Sequence, residues 1–142
     1  MIEPNHIFVY GTLKRSYCNA HFLENECEFV ANATVPYKMF AYVRVGVLPQ
    51  GKRIISAPML SRESGVCHGE VWRLPAKPLV REDLLRRLDW LEGVDFGGYT
   101  REIIEVHGRE NNKLVFEGPA FVYFHNAPQG EVFENWAEGE SK

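Results

Sequence analysis

A turn and a distant carboxylate have the residue types needed to hold an anion and to move a proton. Residues from Ile7 to Tyr10 are β-branched or aromatic, and Gly11 ends this run, so the sequence predicts a short buried strand. The backbone N–H groups of Gly11, Thr12 and Leu13 follow directly after it. A run of exposed amides at a strand end is a place to hold an anion or an oxyanion.

The carboxylate is Glu92, at the end of the clearest helix pattern in the chain. We predict this helix over about residues 80–91, introduced by Pro78 and ended by Gly93 as its C′ residue. At about 100° per residue, Glu92 lies roughly 120° around the helix from Val80 and therefore within the apolar arc. The apolar arc consists of Val80, Leu84, Leu85, Leu88 and Leu91, whereas Glu82, Asp83 and Asp89 lie on the solvent side.

Two environments are open to Glu92 from this spacing. At a frayed helix end its side chain would bend out to water, and a Glu before a C-terminal Gly is common on surfaces. In a partly apolar cavity, desolvation and the negative end of the helix dipole would raise its pKa and suit it to proton transfer. Helical spacing alone slightly favours the surface position.

The remaining pattern predicts an α+β protein with a curved, barrel-like mixed sheet and a few short helices, because many strands occur without regular βαβ alternation. The further predicted elements are a short helix at 19–24 with Asn19 as N-cap, short strands at 29–30, 34–35, 39–43, 54–55, 66–74, 100–106 and 120–124, and a turn at 49–53. Gly69 within the strand 66–74 indicates a bulge or a close backbone approach. Trp72, Trp90 and Trp136 are predicted to be packing residues.

Length and composition indicate one globular domain over residues 1–142, with an ordered core at about 7–124 and a peripheral acidic tail at 130–142. The net charge of −3, with both signs interspersed, points to neither a nucleic-acid nor a membrane partner. Three cysteines at unrelated spacings and no signal-peptide pattern predict reduced thiols and a cytoplasmic location.

Other chemically capable residues form weaker patterns. Cys67 and His68 are neighbours in a predicted strand, so their side chains point to opposite faces and cannot act as a nucleophile–base pair. The five histidines lack metal-ligand spacing, and no metal site is expected. Lys14 and Arg15 after the glycine turn would favour a phosphate, although two basic residues there more often form a solvated face.

Several segments together resemble the γ-glutamylcyclotransferase-like proteins, and most closely the γ-glutamylamine cyclotransferase or AIG2-like branch. The resemblance extends over roughly residues 7–124 and rests on four further matches in order. The matching segments are Phe8-Val9-Tyr10-Gly11-Thr12-Leu13-Lys14-Arg15, Gly69-Glu70-Val71 with Trp72, Leu88-Asp89-Trp90-Leu91-Glu92-Gly93, Tyr99-Thr100-Arg101 and Ala120-Phe121-Val122-Tyr123.

This resemblance implies a small α+β fold around a barrel-like sheet, with a ligand cavity between the Tyr10–Leu13 loop and a catalytic glutamate, Glu92. Tyr10, Gly11, Thr12, Leu13 and Tyr99 would contact the substrate. The substrate would be a small γ-glutamyl amide, cyclised to 5-oxoproline with release of an amine. No cofactor is implied.

The chain departs from the family pattern after the turn. Ser16 stands where a glycine is common, Asn19 is followed by Ala20 rather than His, and the spacing from Glu92 to Tyr99 is one residue longer. A binding module that holds an acidic small molecule or a peptide end without turnover therefore stays open, as does removal of a γ-glutamyl protecting group. The sequence ranks no substrate and is silent on oligomeric state.

Overall fold

A computed structural model describes residues 3–45 and 53–136. The strands are β1 (His6–Val9), β2 (Glu28–Ala41), β3 (Val43–Val45), β4 (Arg53–Ile55), β5 (Met59–Arg73), β6 (Tyr99–Glu110), β7 (Lys113–His125) and β8 (Glu131–Phe133). The helices are α1 (His21–Glu24), α2 (Pro78–Leu91) and a 3-10 turn (Val94–Phe96). Within the described ranges, no helix is long and apolar enough to cross a membrane.

The strands form a barrel-like α+β fold, as the sequence predicts. The main sheet of the described residues has the order β5-β1-β7-β6-β2-β8, and β2 also pairs with β5, which closes the sheet on itself. Pairing is antiparallel except between β1 and β7. Closure removes most of the exposed edges that an open sheet would present to other chains.

Several strands are longer than predicted. The short strands expected between residues 29 and 43 are largely one strand, β2, which Pro36 does not interrupt because the register with β5 shifts between Val35 and Tyr37. A strand accepts a proline at such an irregularity, where no ladder hydrogen bond needs its N–H. β6 and β7 also extend into a hairpin through Asn111 and Asn112, both with positive φ, a conformation typical of two-residue hairpin turns.

β1 contributes to two apolar clusters because alternate side chains of a strand point to opposite faces. Phe8 and Tyr10 lie in the barrel interior, whereas Ile7 and Val9 face the helices. Three leucines of α2 complete the second cluster: Leu84, Leu85 and Leu88 are buried there. Val80, placed in the apolar arc by its spacing, is instead exposed.

Gly69 marks a close backbone approach rather than a bulge. A Cβ at this position would lie 2.3 Å from the Val9 carbonyl oxygen and 2.6 Å from Cζ of Phe8. The ladder with β2 runs without interruption through Gly69, which pairs with Ala33. The absent side chain therefore allows β1 to pack directly against β5 just before the Gly11 turn.

The described part of the C-terminal tail, residues 130–136, lies at the end of the sheet with most of its side chains exposed, but it is docked on the core. β8 pairs with β2, and Trp136 is 2% exposed, with its indole N–H donating to the Ser56 carbonyl at 2.7 Å. Residues 137–142, and most of the predicted turn at 49–53, lie outside the described residues. The packing role predicted for the tryptophans is confirmed for Trp72 and Trp136 and wrong for Trp90, which is 72% exposed.

Trp136 and Trp90 form a matched pair for testing the role of the tail. Trp136→Ala removes a buried indole, so we expect the free energy of unfolding in urea to fall by about 3 kcal/mol or more. Trp90→Ala should change it by less than about 0.5 kcal/mol, because the side chain is exposed. Equal effects from the two substitutions would contradict the integration of the tail into the core.

Candidate active site

The structure brings all six predicted site residues to one cavity between the Gly11 turn and the end of α2. Its lining residues are Phe8, Val9, Tyr10, Gly11, Thr12, Leu13, Ala57, Pro58, Glu92, Tyr99 and Tyr123. The cavity is small, with a volume of about 40 Å³. The enclosure is made by β1 and its turn on one side and by the helix end and Tyr99 of β6 on the other.

Glu92 is the C-cap of α2 and lies at the cavity wall, partly buried. Its N–H donates to the Leu88 carbonyl at 2.9 Å, and Gly93 then turns the chain with φ +66°, as the capping pattern predicts. Burial raises the pKa of the Glu92 carboxyl from 4.5 to about 7. Among the described residues no ion pair offsets this desolvation, so the carboxyl is poised to exchange a proton near neutral pH.

The turn opposite Glu92 is held by hydrogen bonds within its own segment. The Lys14 N–H donates to the Gly11 carbonyl at 3.0 Å. Asn19 binds Thr12 twice, from its backbone N–H to the carbonyl at 2.9 Å and from Nδ2 to Oγ1 at 2.8 Å. The predicted N-cap role of Asn19 is wrong, because the helix α1 begins after Ala20 without a side-chain cap.

The buried carboxylate of Glu70 anchors the end of this turn. Its Oε1 accepts hydrogen bonds from the Arg15 N–H at 2.9 Å and from Nε1 of Trp72 at 3.2 Å, and its Oε2 accepts from Nε of Arg15 at 3.1 Å. The Arg15 guanidinium also lies over the Phe29 ring, 3.6 Å from its centroid. These contacts fix where the chain leaves the turn.

In the basic pair after the turn, Arg15 is exposed, as such residues commonly are, but Lys14 is not. Lys14 is 8% exposed, and its Nζ donates to the Trp136 carbonyl at 2.8 Å and to Oδ1 of Asn135 at 3.3 Å. Burial lowers the pKa of the Lys14 ammonium. Lys14 thus connects the turn to the C-terminal segment.

The amides of the turn belong to residues that line the cavity. Within residues 3–45 and 53–136, the N–H groups of Gly11, Thr12 and Leu13 donate no turn or side-chain hydrogen bond. A Cβ on Gly11 would lie 2.7 Å from Cγ of Pro58, so only glycine allows this close packing of the turn on Pro58. The arrangement suits a carboxylate or a developing oxyanion.

The two predicted tyrosines line the cavity with their hydroxyl protons already engaged. Tyr10 donates to the Tyr123 carbonyl at 2.5 Å and accepts from the Leu60 N–H at 3.3 Å, and burial raises its pKa. Tyr99 donates to the Pro58 carbonyl at 2.8 Å, and burial, with the Glu92 charge, raises its pKa. Because the Tyr99 hydroxyl proton is used by Pro58, it is not donated to Glu92.

Tyr123 and Asp89 belong to the site, although the sequence pattern did not identify them. Tyr123 lines the cavity, and its hydroxyl donates to Oδ1 of Asp89 at 2.6 Å, while Arg101 approaches the same oxygen at 3.3 Å. Burial, and then the Asp89 carboxylate, raise the Tyr123 pKa. The i, i+3 spacing of Asp89 and Glu92 was the available signal, because such residues lie near one another on a helix.

One set of groups among the described residues has the spacing of metal ligands. Glu105, His107 and Glu117 offer one atom each within 4.8 Å of one another, and all three are exposed on the β6–β7 hairpin. None of them lines the Glu92 cavity. This set therefore has no geometric relation to the proton chemistry of Glu92.

The chain belongs to the family described as "Gamma-glutamyl cyclotransferase, AIG2-like", which it matches over residues 7–140. The match includes β1, the turn, Glu92 and the tail strand. A comparison with curated protein sequences finds no significant match.

Solved structures share the fold. An AIG2-like protein from Mus musculus is 23% identical, with a TM-score of 0.66, and the match covers 94% of this chain and 88% of that one. A structure described as gamma-glutamyl cyclotransferase is 20% identical, with a TM-score of 0.60 and coverage of 87% and 68%. A protein from Pyrococcus horikoshii is 18% identical, with a TM-score of 0.58 and coverage of 92% and 86%.

The raised pKa of Glu92 predicts a specific pH dependence of stability. Between pH 4.5 and about 7, the folded protein keeps a proton that the unfolded chain has lost, so the free energy of unfolding falls as pH rises through this window. Glu92→Gln removes this dependence, and its stability advantage over the wild type should grow by about 1–3 kcal/mol across the window. Urea unfolding of both proteins at several pH values measures this difference in the free energy of unfolding.

The matched control for this stability series is Asp95→Asn, at an exposed acid three residues further along. Its stability should follow the wild type at each pH, since an exposed carboxylate loses little solvation on folding. A constant stability difference between wild type and Glu92→Gln at every pH would mean that the Glu92 carboxyl is not desolvated.

Proposed function

We propose that this protein is a γ-glutamyl cyclotransferase that converts a γ-glutamyl amide into 5-oxoproline and a free amine, with Glu92 as general acid and base. The observation that carries the proposal is the Glu92 carboxyl, desolvated to a pKa of about 7, on the same cavity as the unpartnered amides of the Gly11 turn. Membership of the family supports the reaction class.

The reaction is intramolecular. The α-amino nitrogen of the substrate attacks its own γ-carbonyl carbon, a five-membered ring closes, and the bond from that carbon to the leaving nitrogen breaks. Glu92 accepts a proton from the α-ammonium and later donates one to the leaving amine. The protein supplies orientation and proton management, because the substrate carries its own nucleophile.

The Gly11 turn would stabilise the negative charge. Amides of Gly11, Thr12 and Leu13 bind the substrate carboxylate or the γ-carbonyl oxygen as it becomes an oxyanion, and loss of one such donor commonly costs about 10²–10³-fold in rate. The Glu70 anchor and the Asn19 hydrogen bonds hold these amides in place before substrate arrives.

The size of the cavity indicates how substrate binds. Its volume of about 40 Å³ holds only a reacting end, since small-molecule sites usually exceed about 300 Å³. The rim of the cavity must therefore open for an intact γ-glutamyl amide to enter. The hydrogen bond from Tyr99 to Pro58 joins the two sides of this rim and would break or shift.

We expect Glu92→Gln to lower the rate of 5-oxoproline release by about 10²–10⁴-fold while the protein stays folded. In the wild type, kcat/KM should rise with pH through an apparent pKa near 7, as the Glu92 base loses its proton. Asp95→Asn should keep wild-type activity, and chelators should have no effect. Full activity in folded Glu92→Gln would remove Glu92 from the mechanism.

A second candidate is a binding module on the same fold, favoured by the small volume of the cavity. A panel of γ-glutamyl amines, γ-glutamyl dipeptides and γ-glutamyl-lysine, assayed for 5-oxoproline, separates the two. Turnover of at least one member is expected from the proposed enzyme. Binding of 5-oxoproline or proline without turnover of any member would instead favour the module.

A further inference from the structure

A groove far larger than the Glu92 cavity lies beyond the turn and has no part in the proposed reaction. Its volume is about 660 Å³, in the range of small-molecule sites. Residues of β2, β5 and β6 line it together with Lys14, Tyr17 and Asn135, and Nζ of Lys14 donates to Oδ1 of Asn135 at 3.3 Å. None of its lining residues also lines the Glu92 cavity.

The groove carries a row of polar side chains across three strands. Thr34 of β2 pairs with His68 of β5 and with His107 of β6, and directly paired residues project their side chains to the same face. A hydroxyl is thus flanked by two imidazoles. Arg109 of β6 and Asn32 of β2 also line the groove.

The charged side chains that line the groove are mostly positive, although Glu105 and Glu117 lie close to His107. Its cations are Lys14 and Arg109, and the one carboxylate among its lining residues, Glu70, already accepts three hydrogen bonds from Arg15 and Trp72. The Lys14 ammonium has three N–H groups, of which two have partners in the described part of the chain. The same ammonium also lies 5.1 Å from the centroid of the Tyr17 ring, so Arg109 is the cation of the groove that is more available to a ligand.

We propose that this groove is a second binding site, which holds a small molecule through a phosphate or carboxylate group. Lys14 and Arg109 contribute charge-assisted hydrogen bonds to its oxygens. Thr34 and the two imidazoles contribute hydrogen bonds to the remainder of the molecule. The open polar lining, exposed at Asn32, Thr34 and His107, suits a hydrophilic ligand rather than an apolar one.

The two sites share one structural element. Thr12 and Leu13 face the Glu92 cavity and Lys14 faces the groove, so the same turn separates them. Binding in the groove requires no catalysis, so this second site can bind its ligand whether or not the proposed reaction takes place. Glu92→Gln should bind the probe as tightly as the wild type.

The test is a titration of the full-length ¹⁵N-labelled protein with inorganic phosphate and with succinate, at ionic strength held constant with sodium chloride. We expect saturable amide shifts at residues 32–34, 68–69 and 107–109 with at least one probe. The two probes distinguish a phosphate site from a carboxylate site. No saturable shift with either probe, or shifts confined to the Glu92 cavity, would overturn the proposal.

Matched variants separate a built site from general charge attraction. Arg109→Gln should weaken binding about tenfold, as expected when one charge-assisted hydrogen bond is lost. Arg86→Gln makes the same change of charge at an exposed position on α2 and should leave affinity unchanged. Equal weakening by both substitutions would show diffuse electrostatic attraction and contradict the site. Lys14 is not substituted, because its hydrogen bonds to Asn135 and Trp136 also hold the C-terminal segment in place.

Discussion

The geometry of the site depends on how β1 and the Gly11 turn pack against β5. The Glu70 carboxylate lies buried beneath the turn and accepts three hydrogen bonds, two of them from Arg15. A buried carboxylate without such donors would cost several kcal/mol, so the chain is constrained to bring Arg15 to it. Next to Glu70, the missing side chain of Gly69 lets Val9 approach closely. Together these neighbours determine where the strand ends and which way its amides face.

The packing of α2 positions Glu92 at the same cavity as the turn. Leucines of α2 pack against the outer face of β1, and this packing determines the rotation of the helix and hence the direction of its last acidic residue. Gly93 then ends the helix in a left-handed conformation, so that Glu92 stands at the end of α2 beside the cavity. The desolvation that raises the Glu92 pKa follows from this position and not from a neighbouring charge. Burial energy from the leucines offsets the cost of a poorly solvated acid.

The turn separates two spaces of opposite character. The Glu92 cavity is small, and three tyrosines line it, two with their hydroxyls bonded to carbonyl oxygens and Tyr123 bonded to Asp89. The groove beyond Lys14 is wide and polar. Lys14 links the turn to the C-terminal segment, whose Trp136 packs in the barrel interior. A shift of the C-terminal segment would therefore displace the turn, because hydrogen bonds of Lys14 connect the turn directly to that segment.

Local pattern was sufficient for β1 and for α2 with its Gly93 end, because strand alternation, helical periodicity and capping act within a few residues. It placed Glu92 within the apolar arc but left open whether the carboxyl faces water or a cavity, and only the folded chain decided this. The family resemblance then placed the turn opposite Glu92. Other features depend on partners far along the chain. Asn19 holds Thr12 instead of capping a helix, Lys14 is buried by Trp136, and Trp90 is left exposed where no element covers it. Tyr123 and Asp89 meet only when β7 lies beside α2. These outcomes belong to the closed barrel, since only its three-dimensional packing decides which polar groups lose water and which find partners.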